Sequence, residues 1–286
     1  MTSSIEWRAR FERFVARKTA EAAAAAIAPF ATDIDRGQTS MRSVGNDWTR
    51  RMFDGAFYMS PAAEADLPST NLVFVQSREG NTVAKNPSAL GGGEADKHLV
   101  YEGLSRVAAD AVLGGAGTIR GGAIVLSVWR RELVELRAAL GAPRHPVQVV
   151  ATLQGLSIEE GLMFNVPELR VVVITVPRGA DAMREVLAVR PWITPLVMES
   201  PSDLRPAFRR LRQAGVATLS CIGGRTLAAQ LLDAGLVRDL YLTTAARSGG
   251  EPATPISLKP LNAQEIVRKR GTGPDEGVTF QHLRLV

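Results

Sequence analysis

The chain reads as an α/β protein built on a mixed, mostly parallel sheet. Three observations predict this. From residue 72 onward, short apolar runs alternate with segments of helical periodicity, and that alternation gives a parallel sheet covered on both faces. The last three strand-like segments, 240–244, 265–269 and 278–285, have turn signals between them instead of helices, so they pair antiparallel as a C-terminal hairpin. Two glycine-rich corners, Gly115-Ala116-Gly117-Thr118 and Gly223-Gly224-Arg225-Thr226, each follow a buried strand and lead into a segment that can be helical.

Residues 1–65 read as a helical N-terminal extension, and 66–286 as the main domain. Ser3-x-x-Glu6 is a capping-box pattern. Trp7, Phe11, Phe14 and Val15 then recur at helical spacing, and an alanine run follows. Residues 33–60 are polar, with scattered glycines and aromatics, and read as an irregular arm packed on the body. Residues 72–75 form a buried strand. Leu99, Val100, Leu104 and Val107 mark a helical face over 94–108. A strand at 111–113 precedes the first corner. Trp129, Leu133, Leu136 and Leu140 define a helix over 128–140. Strands follow at 147–150 and 171–176, a helix at 180–189 and a short strand at 196–198. Ser202 stands where it can cap a helix bearing Leu204, Phe208 and Leu211. The strand at 219–222 precedes the second corner, and Leu227, Leu231 and Leu232 mark a helix ending near Gly235.

Composition narrows the function. The net charge is +5 over 286 residues, a modest excess that suits an anionic ligand. Arginines are scattered among helix faces and aromatics make up 6%, which is not the clustered basic stripe of a nucleic-acid binder. Cys221 is the single cysteine, so no intrachain disulfide forms. With no histidine near it in sequence, it reads as a packed, inert thiol. His98, His145 and His282 lack metal-ligand spacing, so no metal is expected. No apolar run reaches the roughly 18 residues of a membrane span. Glu21 breaks the alanine run that follows the basic N-terminus, so that run reads better as a helix than as a signal peptide. A cytoplasmic protein is expected.

The corners carry the chemistry. Glycine after a strand lets backbone N–H groups approach a phosphate and aims a helix N-terminus at it. Glycine can equally stand there only because φ must be positive. Two such corners in one sheet can hold the two ends of a dinucleotide. Their spacing is not G-x-G-x-x-G, which disfavours a Rossmann fingerprint.

Residues 93–98, 109–120 and 222–237 resemble the reductase domain of riboflavin biosynthesis. The resemblance covers about 70–286. It implies a dihydrofolate-reductase-like three-layer α/β/α fold, NADPH as cofactor and a small heterocycle of pyrimidine or pterin type as hydride acceptor. Members commonly form homodimers, and exposed C-terminal strands would offer an edge for that. Gly115, Ala116, Gly117 and Thr118 match the turn that meets the pyrophosphate and nicotinamide side. Gly223, Gly224, Arg225, Thr226 and Leu227 match the second phosphate turn. Thr152 falls near the adenosine ribose. Ser77-Arg78-Glu79-Gly80 stands where the family reads Ser-x-Asp-Gly at the cofactor–substrate cleft. Ser77 and Asp96 are therefore expected to contact substrate.

Departures fall mainly on the substrate side. Residues 121–126 are an apolar stretch where the family has Asp-x-Pro-x-Leu and an Arg, and apolar groups cannot replace a bidentate Arg on phosphate. Ile222 stands where Glu is frequent, and Arg238-Asp239 where Asp-Glu is usual. Leu153 replaces a basic residue beside Thr152, which leaves the cofactor's 2′-phosphate without an assigned partner.

Hydride transfer asks the protein mainly for orientation and electrostatics. Reducing an imine or carbonyl also needs a proton, from water, Glu79 or Asp96. Glu79 is the expected catalytic carboxylate, its other reading being an exposed turn residue. Asp96 also reads as a carboxylate favoured at a helix N-terminus. Arg225 pairs with phosphate or is solvated, and Asp110 reads as a structural acceptor. Two alternatives stay open: a reductase of the same fold in specialised metabolism with another substrate, and a nucleotide-binding module without turnover.

Overall fold

The computed structural model describes residues 4–84, 90–119, 123–159 and 161–286. In chain order, α1 (Ser4–Ala24) leads to β1 (Ala31–Asp35), β2 (Arg42–Val44), α2 (Asp47–Met52), β3 (Phe57–Met59) and β4 (Ser69–Gln76). A short α3 (Gly93–Ala95) continues as a π-helical segment, Asp96–Leu104. β5 (Ala111–Gly115), α4 (Ala116–Ile119), α5 (Arg131–Ala139), β6 (Val147–Ala151) and β7 (Val171–Thr175) follow. Then come α6 (Pro177–Ala182), α7 (Arg184–Ala188), β8 (Ile193–Val197), α8 (Leu204–Gln213), β9 (Thr218–Cys221) and α9 (Arg225–Asp233). β10 (Asp239–Thr244), β11 (Ala263–Arg270) and β12 (Thr279–Leu285) close the chain.

Ten strands form one sheet in the order β1-β11-β12-β10-β4-β9-β5-β6-β7-β8. Pairing is parallel from β10 through β8 and antiparallel from β1 to β10. Successive side chains face opposite sides of a strand, and the two cores show it. Val73, Val112 and Val150 join the layer containing Phe14, Leu99, Leu104 and Leu133. Leu72, Leu113 and Val149 join the layer containing Phe208, Leu211, Leu227 and Leu231. This is the three-layer α/β/α arrangement expected, with α1, the π-segment and α5 on one face and α8 and α9 on the other. Among the described residues, no helix is long and apolar enough to cross a membrane.

Several local expectations are corrected. The arm is not irregular: β1 pairs antiparallel with β11 and forms one edge of the main sheet. The three C-terminal strands are therefore interior, and none offers a free edge. The helix at 94–108 is mostly a π-turn. The one at 180–189 breaks at Met183 into α6 and α7. Asp203, not Ser202, is the N-cap position of α8, and its side chain makes no cap bond. The Asp203 carboxylate instead accepts from Ser200 N at 2.8 Å. The capping-box Ser3 lies outside the described residues, as do Arg120, Gly121 and Gly122 of the resemblance and its departures.

The arm is held by buried polar bonds. Ser60 donates to both Asp239 oxygens, from N at 3.0 Å and from Oγ at 2.6 Å. His282 Nε2 lies 2.9 Å from Asp239 Oδ1. Burial pushes the Asp239 carboxyl up, but His282 and Ser60 outweigh it and hold it below its ordinary value. Lys269 Nζ donates to Thr32 Oγ1 and to the Asp54 carbonyl. An unmade bond at such a buried group costs about 1–3 kcal/mol.

Candidate functional site

The two glycine corners meet. β9 lies between β4 and β5. The chain leaves β5 toward β6 on one side and leaves β9 toward β10 on the other, so the strand order reverses between them. In an open parallel sheet, ligands bind outside the carboxyl ends of the strands at such a point. Gly115 N donates to Gly223 O at 3.3 Å, and Ile222 N to Leu113 O at 2.9 Å. Gly223 and Gly224 have φ of +99° and +84°, a region L-residues rarely adopt. A Cβ on Gly223 would sit 3.0 Å from the Phe74 ring. One on Gly117 would meet nothing within 4 Å, so open space lies beside that corner.

A cavity of about 840 Å³ opens at this end of the sheet. Thr118, Gly224 and Arg225 line one side of it, and Asp96, His98, Tyr101 and Glu102 of the π-segment another. Arg225 is exposed at the first position of α9. The first hydrogen bond of that helix runs from Ala228 N to Gly224 O. The N–H groups of Arg225, Thr226 and Leu227 thus precede the intrahelical ladder and can face an anion.

Asp96 is the cavity's distinctive carboxyl. Burial pushes it up to about 7, and nearby Asp275 adds to the rise, against an opposing hydrogen bond from the Thr243 hydroxyl. It therefore titrates near neutrality and holds its proton below about pH 7. Glu79 is the opposite case. It is exposed on the turn after β4 and is not part of the cavity lining. Ser248, Ser77 Oγ at 3.0 Å and Gly249 N at 3.3 Å bond it and hold it down at about 2. Held ionised in this way, Glu79 is less suited than Asp96 to deliver a proton at pH 7.

The remaining expected residues divide. Gly115, Ala116, Gly117, Gly223, Thr226 and Leu227 sit at the corners without lining the cavity. Ser77 is buried against Glu79 and Asn81. Thr152 donates its hydroxyl to Gly155 O at 2.8 Å at the end of β6, away from the cavity lining. Asp110 Oδ2 accepts from Ala217 N and Thr218 N, both at 2.8 Å, the structural role foreseen. Burial pushes the Cys221 thiol up to about 12, so it is inert.

Sequence reasoning missed His98, Tyr101 and Glu102. His98 Nδ1 lies 3.3 Å from Glu102 Oε2, and both side chains are buried. Their i, i+4 spacing was visible, but the π-turn that directs them was not. It also missed the face of α1 that lines the cavity.

The architecture is that of a mixed α/β class with a crevice at a strand-order reversal. Residues 73–274 match the family model of the RibD C-terminal domain, and the chain belongs to that family. Among solved structures, it is similar to a pyrimidine reductase-like protein of Corynebacterium diphtheriae. The TM-score is 0.63 at 20% identity, covering 77% of this chain and 92% of that one. It is similar to RibD of Acinetobacter baumannii, with TM-score 0.57 and 18% identity over 77% of this chain and 58% of that one. The riboflavin biosynthesis reductase of Saccharomyces cerevisiae gives TM-score 0.56 and 14% identity over 79% and 93%. These likenesses show the fold. No curated protein sequence matches the chain.

Proposed function

We propose that the protein is an NADPH-dependent reductase acting on a small heterocycle of pyrimidine or pterin type. The carrying observation is the contact between the two glycine corners at the strand reversal, with buried Asp96 lining the same cavity. Family membership and likeness to riboflavin-pathway reductases support the reading. The corners fit a dinucleotide: both approach without Cβ atoms, Gly117 opens onto free space, and α9 presents unused N–H groups. Gly115, Gly117 and Thr118 would hold one end, and Gly224, Arg225 and Thr226 the other.

NADPH, when bound, supplies the hydride. The chain's own residues orient the acceptor and manage its proton. Asp96 holds a proton at its carboxyl near neutral pH, and Thr243 fixes the orientation of that group. A reduced C=N or C=O bond takes up one proton, and Asp96 is the cavity group suited to donate it.

The test is NADPH oxidation followed by absorbance across pyrimidine and pterin acceptors. Acceptor-dependent oxidation supports the reductase. Tight NADPH binding with no oxidation by any acceptor favours a nucleotide-binding module instead.

A further inference from the structure

The family match begins at residue 73, yet the cavity extends to α1 (Ser4–Ala24). Phe14, Arg17, Lys18, Glu21 and Ala22 line it. Their spacing of three, four, seven and eight residues from Phe14 puts all five on one helix face. That face is fixed in place. Phe14 packs edge-on against Trp129 with centroids 5.4 Å apart. Arg130 Nη1 donates to the carbonyls of Ala22 and Ala25 at 2.9 and 3.4 Å, a cation satisfying the helix C-terminus.

The face carries an excess of positive charge. One carboxylate, Glu21, serves both cations: Arg17 Nη1 bonds Oε1 at 2.5 Å and Lys18 Nζ bonds Oε2 at 2.8 Å. Each keeps N–H groups for another acceptor. Buried Arg106 adds to the positive field from the adjoining wall. Its guanidinium stacks 3.7 Å over Tyr101, and its Nε and Nη2 have no hydrogen-bond partner among the described residues. Aromatic rings of Phe14, Tyr101 and Trp129 complete this end of the cavity.

We propose that α1 is a substrate-recognition wall, in which Arg17 and Lys18 bind an anionic group, phosphate or carboxylate, on the hydride acceptor. Phe14 and Tyr101 face the acceptor's ring. The assignment of the ligand as hydride acceptor rests on the reductase reading above; the anion site itself does not. Glu21 competes with the ligand for both cations, so its removal and theirs have opposite effects.

The test is calorimetric titration of phenyl phosphate, benzoate and neutral benzyl alcohol into the full-length protein, with and without saturating NADPH. Wild type is compared with Arg17→Gln/Lys18→Gln and with Glu21→Gln. Arg17 and Lys18 side chains are 53% and 32% exposed, so these changes leave the fold intact, checked by thermal melting. The double variant is expected to bind the preferred anion about tenfold or more weakly, and Glu21→Gln a few-fold more tightly, on the scale of charge-assisted bonds. Benzyl alcohol is expected to bind weakly and equally in all three. Preference between the first two ligands tells phosphate from carboxylate. Binding that ignores all three residues, or no anion binding by wild type, overturns the inference. NADPH binding together with anion binding that does not depend on α1 sinks this proposal alone. Anion binding set by α1 without any NADPH binding sinks the reductase and keeps the site.

Discussion

Replacing Asp96 with Asn is expected to stabilise the protein while removing its activity. Folding raises the carboxyl from its ordinary 3.8 to about 7, mainly through burial. The folded state keeps the proton up to about pH 7, whereas the unfolded chain releases it near 3.8. Between those values the folded state binds more protons, so stability falls as pH rises. Above pH 7 the loss is complete, about 4 kcal/mol as an upper bound at about 1.4 kcal/mol per pH unit. Asn is neutral throughout and keeps an acceptor for the Thr243 hydroxyl. Urea melts at pH 4 and pH 8.5 read the difference. Asp96→Asn is expected to match wild type within about 1 kcal/mol at pH 4 and to exceed it by about 2–4 kcal/mol at pH 8.5. Its NADPH oxidation should fall about 100-fold or more. A stability difference equal at both pH values would refute the account of this carboxyl.

Three further perturbations follow from the same geometry. Gly223→Ala forces a side chain to φ +99° and places Cβ 3.0 Å from Phe74; a loss of about 1–3 kcal/mol is expected in urea melts, and no loss would mean the corner is unstrained. Glu79→Gln should keep NADPH oxidation within about threefold at pH 7, because an ionised surface carboxylate is not the acid; a large loss would reinstate it. Ser60→Ala removes the hydroxyl that donates to buried Asp239, with about 1–3 kcal/mol lost in thermal melts, and an unchanged melt would show that His282 and the Ser60 N–H suffice.

Much of the fold was legible because apolar period distinguishes strands of 2.0 from helices of 3.6. The parallel strands at 111–113 and 171–174 are continuous apolar runs, and 147–150 is interrupted only by buried Gln148, the near-continuous pattern of strands buried on both faces. β1 was not legible: Ala31-Thr32-Asp33-Ile34-Asp35 is short and half exposed, and only its pairing with β11 makes it a strand. The corners were readable from glycine and strand context. Asp96 was readable as a candidate, but its raised pKa comes from burial in the assembled fold, with a smaller push from Asp275, distant in sequence. The surroundings of Glu79 were not legible, because its partners Ser248 and Gly249 come from a loop about 170 residues on. The α1 wall left no local signal, since nothing in the helical spacing of Trp7, Phe11, Phe14 and Val15 places Arg17 and Lys18 against a cavity.

The central claim is that the paired corners hold a dinucleotide, and a fluorescence titration of NADPH and NADH tests it most directly. Wild type is compared with Gly117→Asp, whose new side chain enters open space and places a negative charge beside the phosphate turn. Tight NADPH binding in wild type, lost in the folded variant, is the predicted result. Binding of neither cofactor to well-folded wild type, or undiminished binding by Gly117→Asp, would contradict it.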